Sequence, residues 1–183
     1  MRRNTKRKPR PPLNRDALDA LALFYVGRFA TTRARLKSYL ERKLRERGWD
    51  GPQSPDVDAI TERCADRGYV DDAAFALSKS RSLTSRGYGQ RRVEQTLRSA
   101  GVEEADGDAA RQFARLDCVG AALRFAERRR IGPFASQAPD HKMRERALAA
   151  MIRAGHGFGL ARAIVDLPPG SEVDLATLAE HSE

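Results

Sequence analysis

Cysteine, histidine and aromatic residues are scarce in this 183-residue chain, and each scarcity removes a class of function. The two cysteines, Cys64 and Cys118, lie far apart in apolar helical patterns, which excludes a disulfide framework and a clustered thiolate site. Both are expected to be buried, reduced thiols of a cytoplasmic protein. The three histidines are His141, His156 and His181, and none has a second ligand at helical metal spacing. His156 follows a glycine and reads as a packed or simply exposed side chain. No metal or cofactor is therefore expected. Phosphate-binding loops of the glycine-lysine-serine type are missing, and the glycine-rich run Gly155 to Gly159 follows a helical pattern, where a nucleotide loop would follow a strand. Long hydrophobic runs are lacking too. The best, Leu18 to Val26, is interrupted at Asp19 and followed by Arg28, so no membrane span is expected. Arg2-Arg3 is not followed by an apolar signal region, so export is not expected either. Asp71-Asp72 could be imagined as a metal pair, but a helix cap beside a first-turn acid accounts for them with less. An enzyme is not the expectation.

What the chain has is positive charge, unevenly placed. The formal net charge is +9, and residues 1–15 hold seven of those charges without one acid: Arg2, Arg3, Lys6, Arg7, Lys8, Arg10 and Arg15. Only +2 remains for everything after Arg15. A segment of prolines and cations cannot bury enough apolar area to offset its ordering entropy, so residues 1–15 are read as a disordered basic arm that meets phosphates or an acidic protein surface. At the far end Pro168-Pro169-Gly170 stops the last helix, leaving residues 168–183 as a weakly acidic tail.

Between the tails the same pattern occurs three times: Leu40, Leu44 and Gly48; Val93, Leu97 and Gly101; Ala147, Met151 and Gly155. Positions i, i+4 and i+8 share a helical face, and a glycine just past the last turn closes a helix in the left-handed conformation. The glycines lie 53 and then 54 residues apart, the spacing of a tandem array of small helical units. The fold class is all-α: an elongated array of three three-helix repeats over residues 16–68, 69–115 and 116–167. In the first repeat, Asn14 caps a helix running to about Ala30 with Leu18, Leu21, Ala22, Tyr25 and Phe29 on one face. Thr32 caps the second helix. Ser54-Pro55 opens the third, with proline at the first helical position. In the second repeat Asp71 caps a helix through Phe75, Leu77 and Leu83, the Val93–Leu97 helix follows, and Gly107 weakens the start of its third helix. The third repeat carries Val119, Ala122, Leu123 and Ala126, a break at Gly132-Pro133, then Met143, Ala147 and Met151, and finally Phe158, Ala161, Ile164 and Val165.

Candidate binding residues are cationic. Arg81, Arg86, Arg91 and Arg92 surround a glycine turn that also carries Tyr88, read here as an exposed aromatic on a flexible turn. Such a group suits phosphates or partner carboxylates. Arg128, Arg129 and Arg130 end a helix, where the dipole alone could favour them.

Two stretches then resemble a known family. Gly68-Tyr69-Val70-Asp71-Asp72-Ala73-Ala74-Phe75-Ala76 and Ser85-Arg86-Gly87-Tyr88-Gly89-Gln90-Arg91-Arg92-Val93, with the helix to Gly101-Val102, are similar to the central signature of the RecX family, regulators of the bacterial RecA recombinase. Arg33 to Trp49 is similar to its opening repeat, and Arg129 to Phe134 with Ala154 to Ala161 to its third. The likeness spans roughly residues 16–167. Gln90 stands where the family often has proline, and Gly107 departs from the second repeat.

The resemblance implies a monomeric regulator that binds the RecA filament, with single-stranded DNA and also double-stranded DNA as candidate partners, and that restrains RecA ATPase, strand exchange and coprotease activity. Charge placement, and not the family pattern, picks its contacts: Arg81, Arg86, Tyr88, Arg91 and Arg92, with Arg128 to Arg130 second. The residues leave an alternative open, a stand-alone helical DNA-binding transcription or chromosome-organising factor, because three-helix units can place a helix in a major groove. A metal-dependent nuclease using Asp71 and Asp72 stands a distant third.

Overall fold

A computed structural model describes residues 11–181 of the chain. The cations Arg2, Arg3, Lys6, Arg7, Lys8 and Arg10 lie outside the described residues. The chain divides into two compact units, the first ending at Asp72 and the second beginning at Ala73. Among the described residues there are ten α-helices, one short 3-10 turn and no strand, so the fold is all-α.

The first unit holds α1 (Arg15–Val26), α2 (Arg33–Arg47) and α3 (Val57–Asp66). Each helix starts where a short polar side chain can satisfy an orphan backbone N–H. The Ala17 N–H donates to Asn14 Oδ1 at 2.9 Å, the Arg35 N–H to Thr32 Oγ1 at 3.2 Å and the Ala59 N–H to Asp56 Oδ1 at 2.9 Å. Proline does not open α3: Pro55 precedes Asp56, whose carboxylate takes the cap and sets the helix start at Val57. Helix α1 stops at Val26, short of Ala30. Phe29 therefore leaves the buried stripe and stays half exposed against Tyr25, ring centroids 5.3 Å apart. The core is built from Leu13, Leu18, Leu36, Leu40, Ile60 and Val70.

Leu13 and Arg15 correct the reading of residues 1–15 as one disordered arm. Leu13 is fully buried and forms a parallel bridge with Trp49: its N–H donates to the Gly48 carbonyl at 2.9 Å, and its carbonyl accepts from the Asp50 N–H at 2.8 Å. The Arg47 guanidinium donates twice to the Pro11 carbonyl. Arg15 is the first residue of α1. One apolar side chain among prolines was enough to anchor this stretch. Gly48 makes that bridge possible. With φ 81° and ψ 176° it turns the chain into an extended path, whereas Gly101 and Gly155 close their helices differently. At Gly101 the N–H donates to the Arg98 carbonyl while the Val102 N–H reaches back to Leu97; at Gly155 the N–H reaches Ile152 and the His156 N–H reaches Met151. These are Schellman closures, which require a residue with positive φ. Asp72 is buried and accepts from the Arg33 N–H at 2.9 Å, so it satisfies an orphan donor of α2.

The second unit continues from α4 (Asp72–Ser85) into α5 (Gln90–Ser99), α6 (Glu104–Leu116), α7 (Cys118–Arg129), α8 (His141–Arg153), α9 (Phe158–Asp166) and α10 (Leu175–Glu180). Two clusters fill it. Phe75, Leu83, Val93, Leu97 and Ala110 form one, with the Ser80 hydroxyl donating to the Ala110 carbonyl at 2.7 Å so that this buried hydroxyl is satisfied. Gly107 does not interrupt α6. It leaves room for the Arg111 side chain, whose Nη1 crosses it to donate to the Glu104 carbonyl at 2.7 Å. Phe125, Met151, Leu160 and Ile164 form the other cluster. Met143 and Phe158, expected on inner faces, are 47% and 52% exposed; Phe125 and Leu160 fill those roles. The C-terminal tail also contributes to this core. Asp174 caps α10 by accepting from the Ala176 N–H, and Leu178 is buried against α7 and α9. Only one leucine of that helix, Leu178, is buried, while Leu175 is exposed.

The Schellman closure at Gly101, with φ 67°, predicts that Gly101→Val loses about 1–2 kcal/mol, the penalty for a β-branched residue in left-handed backbone. Urea denaturation followed by circular dichroism measures it, and an unchanged midpoint would sink the cap assignment.

Candidate interaction surface

The turn from Ser85 to Gly89 is a packed junction. Helix α4 also ends in a Schellman closure, with the Gly87 N–H on the Thr84 carbonyl and the Tyr88 N–H on Leu83. Helix α5 begins at Gly89 without a side-chain cap. Its orphan donors are met by the end of α8: the Gly89 N–H donates to the Ala154 carbonyl at 3.0 Å and the Arg91 N–H to the Gly155 carbonyl at 3.1 Å. The positive end of one helix thus sits on the negative end of another. Such close backbone approach leaves no room for a side chain. A Cβ on Gly89 would stand 2.4 Å from the Gly155 oxygen, and one on Gly87 would stand 2.7 Å from the Phe125 nitrogen.

His156 is the buried peg of this junction: of the packed and exposed readings the structure takes the packed one, and its partner Gly87 was not foreseen. Its Nε2 lies 3.1 Å from the Gly87 carbonyl, and its ring tilts against Phe125 at 5.6 Å. A carbonyl only accepts, so Nε2 carries a proton, and burial keeps the ring neutral near pH 7. Burial pushes the imidazole from 6.5 down to about 4, and the Gly87 hydrogen bond opposes part of that shift. Arg124 is a second missed tie, donating to the Thr84 carbonyl at 3.2 Å while pairing with Asp117. The only sequence signal for the peg was the glycine on either side of His156, since small residues mark close packing.

Around the junction the structure assembles part of the expected cationic set. The Arg86 and Arg92 guanidiniums lie 5.7 and 5.9 Å from the centroid of the Tyr88 ring. Tyr88 is half-buried, in place of the exposed aromatic expected, and packs against both clusters of the second unit. Arg86 Nε donates to the Ser82 carbonyl, and the Arg86 carbonyl accepts from Arg128 Nη1. Arg92 Nη1 donates to Gln95 at 3.0 Å, and Arg91 beside it is exposed. Arg81 stands apart over the Phe113 ring of α6 at 5.6 Å. The arginine triplet is split: Arg128 and Arg129 flank Phe125, while Arg130 takes the left-handed position that ends α7.

Three-helix units joined helix end to helix end, with arginines held on a packed frame, define a helical-repeat protein that displays positive charge. The description "RecX, second three-helix domain" matches residues 71–110, the stretch of α4, α5 and the first half of α6. The chain is 32% identical over 163 residues to the regulatory protein RecX of Myxococcus xanthus (strain DK1622), covering 83% of this chain and 86% of that one. It is also 32% identical over 156 residues to regulatory protein RecX of Mycobacterium sp. (strain KMS), covering 81% of each. A crystal structure of regulatory protein RecX shares the fold with a TM-score of 0.59 at 21% identity, over 82% of this chain and 72% of that one. The chain belongs to the RecX family of regulatory proteins. No helix among the described residues is long and apolar enough to cross a membrane.

The buried neutral imidazole predicts a pH-dependent stability. The unfolded chain takes up a proton as pH falls through 6.5, but the folded one does so only near 4, so acidification across that window favours unfolding. The loss is about 2 kcal/mol by pH 5, on 1.36 kcal/mol per unit. Gln at 156 keeps an N–H donor for the Gly87 carbonyl and removes the titration. Urea midpoints at pH 7.5 and 5 should differ markedly in the parent and by much less in His156→Gln; equal pH slopes would contradict the buried-imidazole account.

Proposed function

We propose that this protein binds the RecA–DNA filament and restrains its ATPase, strand-exchange and coprotease activities, acting as a monomeric, non-catalytic regulator. Family membership supports regulation, and the RecX resemblance names RecA as its object. The observation that carries the contact assignment is the junction itself. Arg86 and Arg92 bracket Tyr88 on backbone locked by helix-end hydrogen bonds, and Arg91 and Arg128 adjoin them. Cations on a rigid frame lose little entropy on binding carboxylates or phosphates. A filament brings both anions together. Arg81, Arg129 and Arg130 are secondary contacts, and the cations of residues 1–10 supply attraction to DNA without sequence preference.

Reversal of Arg86, Arg91 and Arg92 to Glu tests the contact assignment. Their side chains are exposed, so the helical circular dichroism should stay as in the parent. Inhibition of RecA ATPase on single-stranded DNA, with the regulator substoichiometric, should weaken by at least about tenfold, the loss of one charge-assisted contact. A triple variant as potent as the parent would remove this face from the contact surface. Base-selective binding to duplex without RecA would favour the stand-alone DNA-binding reading.

The arm is tested separately, with the truncation placed after residue 10 because Leu13 and Asn14 belong to the first core and the α1 cap. Six cations at roughly 0.7 per phosphate allow a salt slope of up to about 4 on single-stranded DNA. Deleting residues 1–10 should flatten the measured slope by several units while inhibition of preformed RecA filaments survives. A truncated protein with its full slope would assign the phosphates to the helical repeats.

A further inference from the structure

We infer that a groove in the third repeat, separate from the Tyr88 junction, docks an acidic peptide segment carrying one large apolar side chain. The groove has a volume of about 480 Å³. Its floor is apolar, with Ile131 and Val165 buried there and Met143 exposed at the mouth, a flexible thioether able to fit differently shaped side chains. Arg129, Arg130 and Arg146 line it and no acid does. A floor of this kind under a rim of one sign suits carboxylates flanking an apolar anchor. A phosphate backbone would leave the floor unused. The other large cavity, in the first unit, carries Asp16, Asp19, Asp50 and Asp56 against Arg15 and Arg63 and has no such bias.

Arg130 is the second, independent observation. It is the one non-glycine residue with positive φ among the described residues, at φ 54° and ψ 52°. Its N–H donates to the Glu127 carbonyl while the Ile131 N–H reaches Ala126, so it occupies the glycine position of a Schellman closure. Glycine holds that position at the ends of α3, α4, α5 and α8. At the end of α7 the chain keeps a strained arginine whose guanidinium has no ion pair among the described residues and lines the groove. Strain retained beside a cavity points to a role for the side chain.

This extends the proposed regulator to a second surface, and its test uses neither RecA nor DNA filament, so the two readings can fail separately. The probe is a fluorescein-labelled decapeptide of Asp and Glu around a single central Phe, titrated with the full chain and read by anisotropy. Saturable binding is expected, weakened at least about tenfold when the central Phe is replaced by Gly or when Arg129 and Arg146 are both changed to Glu. Arg130→Gly is the decisive variant: glycine fits the left-handed backbone, so the melting temperature should hold or rise while peptide affinity falls. Three results would overturn the proposal: no measurable peptide binding by the parent, unchanged affinity in Arg130→Gly and the double reversal, or labelled oligo(dT) bound through these arginines while the peptide stays inert.

Discussion

The docking of the α5 N-terminus on the α8 C-terminus governs the second unit. Both helix ends would otherwise carry unsatisfied backbone groups, and neither has a side-chain cap that could serve instead. The Gly89 and Arg91 N–H groups meet the Ala154 and Gly155 carbonyls, so each end supplies what the other lacks. Absence of a Cβ at Gly87, Gly89 and Gly155 makes the approach possible, and His156 fills the space behind it. Two of the three repeats are thereby one body, which accounts for a single compact unit from Ala73 onward.

The proposed function rests on what that contact leaves outside. The hydrogen-bonded backbone of Arg91 and Arg92 is spent on packing, while their side chains project into solvent from the first turn of α5. The positive helix end would disfavour cations there, but the α8 carbonyls already neutralise part of it. Arg128 ties the Arg86 carbonyl to the end of α7, so the cations of two repeats meet at one place. Charge gathered this way acts at short range on a partner's anions, whereas charge spread along a chain acts mainly through long-range attraction that salt screens.

Arg130 shows stability and surface chemistry in competition. A glycine would end α7 with less strain, as it does at the other Schellman closures, yet the chain presents a guanidinium there beside an apolar groove.

Much of the fold was legible without coordinates. Apolar spacing at i, i+4 and i+8 places Leu36–Leu40 and Val93–Leu97 on inner faces, because side-chain direction on a helix depends only on local geometry. Asn14, Thr32 and Gly101 mark helix ends for the same reason: capping is settled within a few residues. The cationic candidates were also visible as residue types. What only the tertiary structure decided depends on groups distant in sequence. Leu13 is anchored by Gly48 and Asp50, Asp72 serves Arg33, and His156 meets Gly87 across 69 positions. Met143 and Phe158 share a helical period with core residues yet point outward, since the period names a face and only the neighbouring helices choose its centre. The split of Arg128, Arg129 and Arg130 between the junction and the groove has the same origin. Successive residues on a helix diverge by about 100°, and at its left-handed end the last of them leaves the helix altogether.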